Sequence, residues 1–128
     1  MKTKFNFLAR YKVDCVPPQS PAEVTEKVFG DDLDQVINEE ELALHRIDAH
    51  DGVHFAKSEV VGVEDIDVRT RVFTVRHVIK LWRTGARVDV VSSPLERVHD
   101  RLIEELHLES RQTEGPYNIV EMELSLEQ

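Results

Sequence analysis

Hydrophobic and polar positions alternate along much of this chain, and elsewhere the apolar residues recur at helical spacing. From Lys4 to Cys15 one parity holds Phe5, Phe7, Ala9, Tyr11, Val13 and Cys15, while the other holds Lys4, Asn6, Arg10, Lys12 and Asp14. A two-residue period of this kind predicts a strand with one wet face, as antiparallel sheets commonly have. Pro17-Pro18 ends it. Ser20, Pro21 and Glu23 then make a helix start: a capping hydroxyl, a proline at the first helical position and a carboxylate that closes the box. Val24 and Val28 share a helical face, and Gly30 predicts a stop. Asp31 or Asp32 would cap a second short turn carrying Leu33, Val36 and Ile37.

The longest alternating run is VRTRVFTVRHVIKLWR, Val68 to Arg83, sixteen residues without an acid. Phe73, Val75, His77, Ile79 and Leu81 take one face, and Val72, Thr74, Arg76, Val78, Lys80 and Trp82 the other. At about 3.3 Å per residue this is roughly 50 Å of strand, against a usual length of about five or six residues. It predicts a strand that outreaches its own sheet and lies against another polypeptide. Upstream, Asp51-Gly52 is a two-residue hairpin signal, predicting strands over 42–50 and 53–63, with the acidic knot Glu64–Asp67 turning into the long strand. Downstream, Thr84-Gly85 predicts a turn and Arg87–Val90 a short returning strand. Ser93, Pro94 and Glu96 open a second helix with the stripe Leu95, Val98, Leu102 and Leu106. After Gly115-Pro116 the last strand, 117–127, turns Val120, Met122, Leu124 and Leu126 inward and Glu121, Glu123 and Glu127 outward.

These elements predict one α+β domain over residues 1–128, in two layers with the helices on one face of a mostly antiparallel sheet. The nearest simple description is ferredoxin-like, β-α-β-β-α-β, with an extra or extended β-hairpin.

Charge narrows the function. The chain carries 25 acidic and 16 basic residues, a formal charge of −9. That disfavours nucleic acid and anionic membrane as partners, since both need a positive field. One cysteine excludes an internal disulfide framework and fits a reducing compartment. The first residues lack an apolar signal region, and no run reaches the ~20 apolar residues that span a bilayer. A cytoplasmic protein, or one assembled there into a virion, is expected. The charges are segregated: acids fill Asp31 to Glu41 and the last twenty residues, whereas Arg69, Arg71, Arg76, Lys80, Arg83 and Arg87 occupy an acid-free stretch. Strand neighbours of opposite sign can satisfy this inside one subunit, or an acidic edge can meet a basic one between subunits.

Candidate chemistry is sparse. His45, His50 and His54 lie among Asp48 and Asp51, but a turn at Asp51-Gly52 sends His50 and His54 to opposite faces and leaves His45 on the side of His54 about 13 Å along the strand, so no metal site is expected. His77 reads as a satisfied half-buried histidine, His99 and His107 as surface or boundary residues, and Cys15 as a buried thiol. No phosphate loop, nucleophile elbow or zinc-protease helix is present. No catalytic residue, cofactor or small-molecule substrate is expected, and the chain does not read as an enzyme. The expected partner interface takes Arg76, Val78, Lys80, Trp82 and Arg83 from the long strand and Asp31, Asp32 and Asp34 from the acidic segment. The predicted function is a non-enzymatic structural subunit that forms a homo-oligomer through the long strand or hairpin. The order long strand, capped helix, acidic last strand is similar in style to subunits of phage tails and connectors, which implies virion assembly. The alternative is a small acidic binding or inhibitor protein that occupies a basic site on a partner protein.

Overall fold

The structure, a computed structural model, describes residues 3–16, 18–45, 54–81, 88–112 and 117–127. Its strands are β1 (Thr3–Cys15), β2 (His54–Asp65), β3 (Thr70–Leu81) and β4 (Tyr117–Leu126). Its helices are α1 (Pro21–Glu26), a π-helical stretch (Lys27–Asp32) that runs on into α2 (Leu33–His45), and α3 (Val88–Gln112). The strands form one four-stranded antiparallel sheet in the order β2-β3-β1-β4, and the protein is of the α+β class.

The alternation of β1 becomes a buried row: Phe7, Ala9, Tyr11, Val13 and Cys15 face the core. Phe73, Val75, His77 and Ile79 of β3 stand on the same side, in register from Thr3 opposite Leu81 to Asp14 opposite Thr70. The helices cover this face with Val24, Val28, Phe29, Leu33, Val36 and Ile37, and with the α3 stripe Leu95, Val98, Leu102 and Leu106. Each such burial contributes about 1.5–3 kcal/mol, so the four-residue stripe is a large part of what seats α3. Ser20 caps α1, its Oγ accepting the Glu23 amide at 3.2 Å. Between the helices, buried Glu40 meets Arg97 at 3.4 Å and Arg101 at 3.7 Å, and Arg101 also bonds Glu39. A buried carboxylate needs such partners.

Several expectations are corrected. The long strand is shorter: β3 begins at Thr70, Val68 and Arg69 belong to the turn before it, and Trp82 and Arg83 lie outside the described residues. It does not outreach its sheet, because β2 and β1 flank it along its length. Gly30 is not a stop. The helix widens there into the π stretch and continues, and a Cβ at Gly30 would sit only 3.3 Å from the Thr25 carbonyl oxygen. The wide turn carries Phe29 over Tyr11 and Phe73, with ring centroids 5.0 and 5.1 Å away. It also folds Asp32 inward against Lys27, 2.8 Å away, within a continuous helix and not at the start of a second one.

The expected strand over 42–50 is overturned at its start, since α2 runs through His45; the remainder, with Asp51-Gly52, lies outside the described residues. Glu41 of α2 instead accepts the Phe55 amide and pins the beginning of β2. The short strand expected at Arg87–Val90 is helical from Val88, and Pro94 stands inside α3, not at its first turn. Local β preference of the valines yields to the helical layer, at the cost of one backbone hydrogen bond. In β4 the register slips opposite Lys12 and Val13. The slip buries Ile119 and leaves Val120 51% exposed, reversing the expected parity at that end; Met122 and Leu124 keep theirs.

Candidate functional site

On the face of the sheet away from the helices, the two central strands present bases: Lys4, Arg10 and Lys12 from β1, Arg76 and Lys80 from β3. The flanking strands carry acids, Glu59 and Glu64 on β2, Glu121 and Glu123 on β4, with Glu127 just beyond. Segregation along the sequence therefore becomes complementarity across the sheet. Arg76 grips Glu127 with two hydrogen bonds of 2.7 and 3.0 Å, and Arg10 reaches Glu64 at 3.5 Å. The bond from Arg76 holds the Glu127 carboxyl below the usual range. A shallow groove of about 90 Å³ lies on this face between Arg10, Lys12, Val72, Glu121 and Glu123.

A different surface lies where β2 turns into β3. Ile66 (52% exposed) and Val68 (72%) lie in the turn, while Val63 (44%) and Val61 (42%) stand further back on β2, opposite Phe73 and in the bulge between Val60 and Gly62. The Cys15 amide bonds the Arg69 carbonyl at 2.9 Å and prolongs the β1–β3 register, which brings Val16, 57% exposed, to the same end. The turn is tied down. Asp67 Oδ1 accepts the amides of Arg69 and Thr70 at 2.8 and 2.9 Å, and the Thr70 carbonyl accepts those of Ile66 and Asp67 at 3.0 and 3.1 Å. The amides that bond Asp67 keep its carboxyl well charged, below the ordinary range. The acids here are held by bases or hydroxyls: Asp65 pairs with Arg71 at 2.7 Å, Glu64 with Arg10, Asp67 lies beside Arg69, and Asp14 accepts the Thr70 hydroxyl at 3.3 Å. Sequence reading took 64–67 only as an acidic knot. Its signal was the interleaved Val61, Val63, Ile66 and Val68, alternating with glycine and acids.

Those of the expected interface residues that are described do not gather in one place. Arg76 is engaged with Glu127, while Val78 and Lys80 stand half-buried on the open face. Asp31 and Asp34 are exposed on the helical side, and burial followed by the Asp31 charge pushes the Asp34 carboxyl up. Asp32 is buried beside them. Glu23, Glu26, Lys27, Asp31 and Tyr117 line an open groove of about 370 Å³ near this segment.

The histidines bring the largest surprise. His77 and His99 are both fully buried, with Nε2 atoms facing each other at 3.4 Å, and His77 Nδ1 is 2.7 Å from Ser58 Oγ. The reading of His99 as a boundary residue is thereby corrected. Serine, histidine and histidine in a chain suggest a nucleophile and its base. Burial lowers His77 to about 4, however, so the ring is a poor base at neutral pH, and neither groove described above includes Ser58.

No family model matches the chain, and no curated protein matches it. Among solved structures it is similar to the full extracellular region of zebrafish Gpr126/Adgrg6, with a TM-score of 0.37 and 9% sequence identity over 98% of this chain. The chain spans 14% of that structure, and a likeness at this level carries no argument about function. Among the described residues, no helix is long and apolar enough to cross a membrane.

Proposed function

We propose that the protein is a non-enzymatic assembly subunit that binds a second copy of itself through the apolar end of the β2–β3 hairpin. The observation that carries this reading is the exposure of Val16, Ile66 and Val68 around a turn already fixed by hydrogen bonds, with Val63 and Val61 following along β2. Clustered apolar surface on a soluble domain marks contact sites, and a rigid turn loses little entropy on binding. The second copy follows from charge. A chain of net charge −9 repels its own kind over most of its surface, but at this end the acids are held by bases or hydroxyls. The alternative edges are blunted, since β2 bulges between Phe55 and Lys57 and again between Val60 and Gly62, and β4 presents Glu121 and Glu123.

The fold proposed for this subunit is ferredoxin-like. Support comes from the strand order, in which β3 lies between β1 and β2 while β1 lies between β3 and β4. A tail or connector of a virion is one assembly that such a subunit would serve.

Ile66→Asp and Val68→Asp test the contact. Both residues are exposed, so the domain should keep its thermal midpoint to within about 0.5 kcal/mol of stability while the larger species disappears in sedimentation. Undiminished association in both variants removes the hairpin end from the interface.

A further inference from the structure

His77 and His99 belong to different layers of the molecule, and their contact is one of the places where α3 meets the sheet. His77 stands on the core face of β3 between Val75 and Ile79; His99 comes from α3, next to Val98. The two rings lie 5.3 Å apart between centroids, and His99 meets Tyr11 of β1 edge-on at 5.1 Å. At most one hydrogen lies between the facing Nε2 atoms of a neutral pair, and their 3.4 Å separation is long for a hydrogen bond. His99 Nδ1 has no hydrogen-bond partner among the described residues.

No element packed here offers a counter-charge among the described contacts. β1 contributes Tyr11, whose burial pushes its phenol further from ionising. β2 contributes Ser58, and Phe29 of the π stretch packs on Tyr11. Of the acids of α2, Glu39 and Glu40 are turned to Arg97 and Arg101, Glu41 to His54 and the Phe55 amide, and Asp34 is exposed. On α3 itself, Glu96 and Asp100 are exposed. A first proton can be shared between the two Nε2 atoms. A second puts two cations within van der Waals range in a medium of low polarity, which only separation relieves.

We propose that the His77–His99 contact is an acid-released latch, closed while both rings are neutral, whose protonation frees α3 from the sheet and bares the stripe Leu95, Val98, Leu102 and Leu106. Burial lowers His77 to about 4, and burial followed by the charge of His77 lowers His99 to about 3. Both values lie below the ordinary histidine value of about 6.5, so the open form binds more protons. The latch is at full strength above about pH 6.5 and weakens steadily as pH falls towards the folded values.

The test titrates the full chain from neutral pH into the acid range, following α3 amide exchange, an apolar dye and the histidine ring signals together. Opening of α3 should coincide with proton uptake by both rings. His99→Phe should open with about one proton fewer and at a midpoint lower by about one pH unit. An unchanged midpoint and uptake in that variant overturns the latch. So does the unsubstituted chain, should its two buried rings titrate while the α3 amides stay protected; this second result needs no variant to fold.

Discussion

Tyr11 and His99 show at the level of single residues how far packing can override polarity. The Tyr11 ring is wedged among Phe29 and His99, and its hydroxyl has no hydrogen-bond partner among the described residues. A buried hydroxyl without a partner costs about 1–3 kcal/mol. Tyr11→Phe should therefore leave denaturant stability unchanged or raise it by about 1 kcal/mol. A loss of more than that would mean the hydroxyl does have a bonding role. His99 was legible by position, since Leu95, Val98, His99 and Leu102 fall at helical spacing on one face. Its polarity misled, because an imidazole can stay neutral and enter a core at the cost of a depressed pKa.

At the level of elements, the bulge in β4 makes a sharp prediction. Ile119→Asp should unfold the domain or cost several kcal/mol, whereas Val120→Asp should change stability by about 0.5 kcal/mol or less, both read by chemical denaturation. The reverse ranking would restore the unslipped alternation. That bulge had no signal in the sequence, because a strand pattern fixes parity only where pairing is regular. By contrast β1 was readable to within a residue, its alternation being uninterrupted, and Ser20-Pro21 marked the start of α1 through a bond the structure contains. Residues 42–45 and 88–93 misled for a shared reason: turn and β-branched signals nearby outweighed a helical period too short to see. Gly30 misled differently. Its missing side chain serves a close approach to Thr25 within a wide turn, not an ending.

For the molecule as a whole, the main lesson concerns where its charges go. Base-rich and acid-rich stretches, open in the sequence to pairing within one subunit or between two, become centre and rim of one sheet face, with Arg76 and Arg10 bridging to Glu127 and Glu64. The length of β3, once the argument for a partner, is accommodated inside the chain by β1 and β2. Among the exposed apolar side chains, Ile66 and Val68 share the hairpin end with Val16, and Val61 and Val63 follow along β2. Self-association is the central claim, and it rests on that end alone. Molar mass measured by light scattering across a concentration series tests it most directly. The account predicts a mass that rises to at least twice 14.8 kDa and falls back to it in Val68→Asp; a single 14.8 kDa species at every concentration up to the high micromolar range contradicts it.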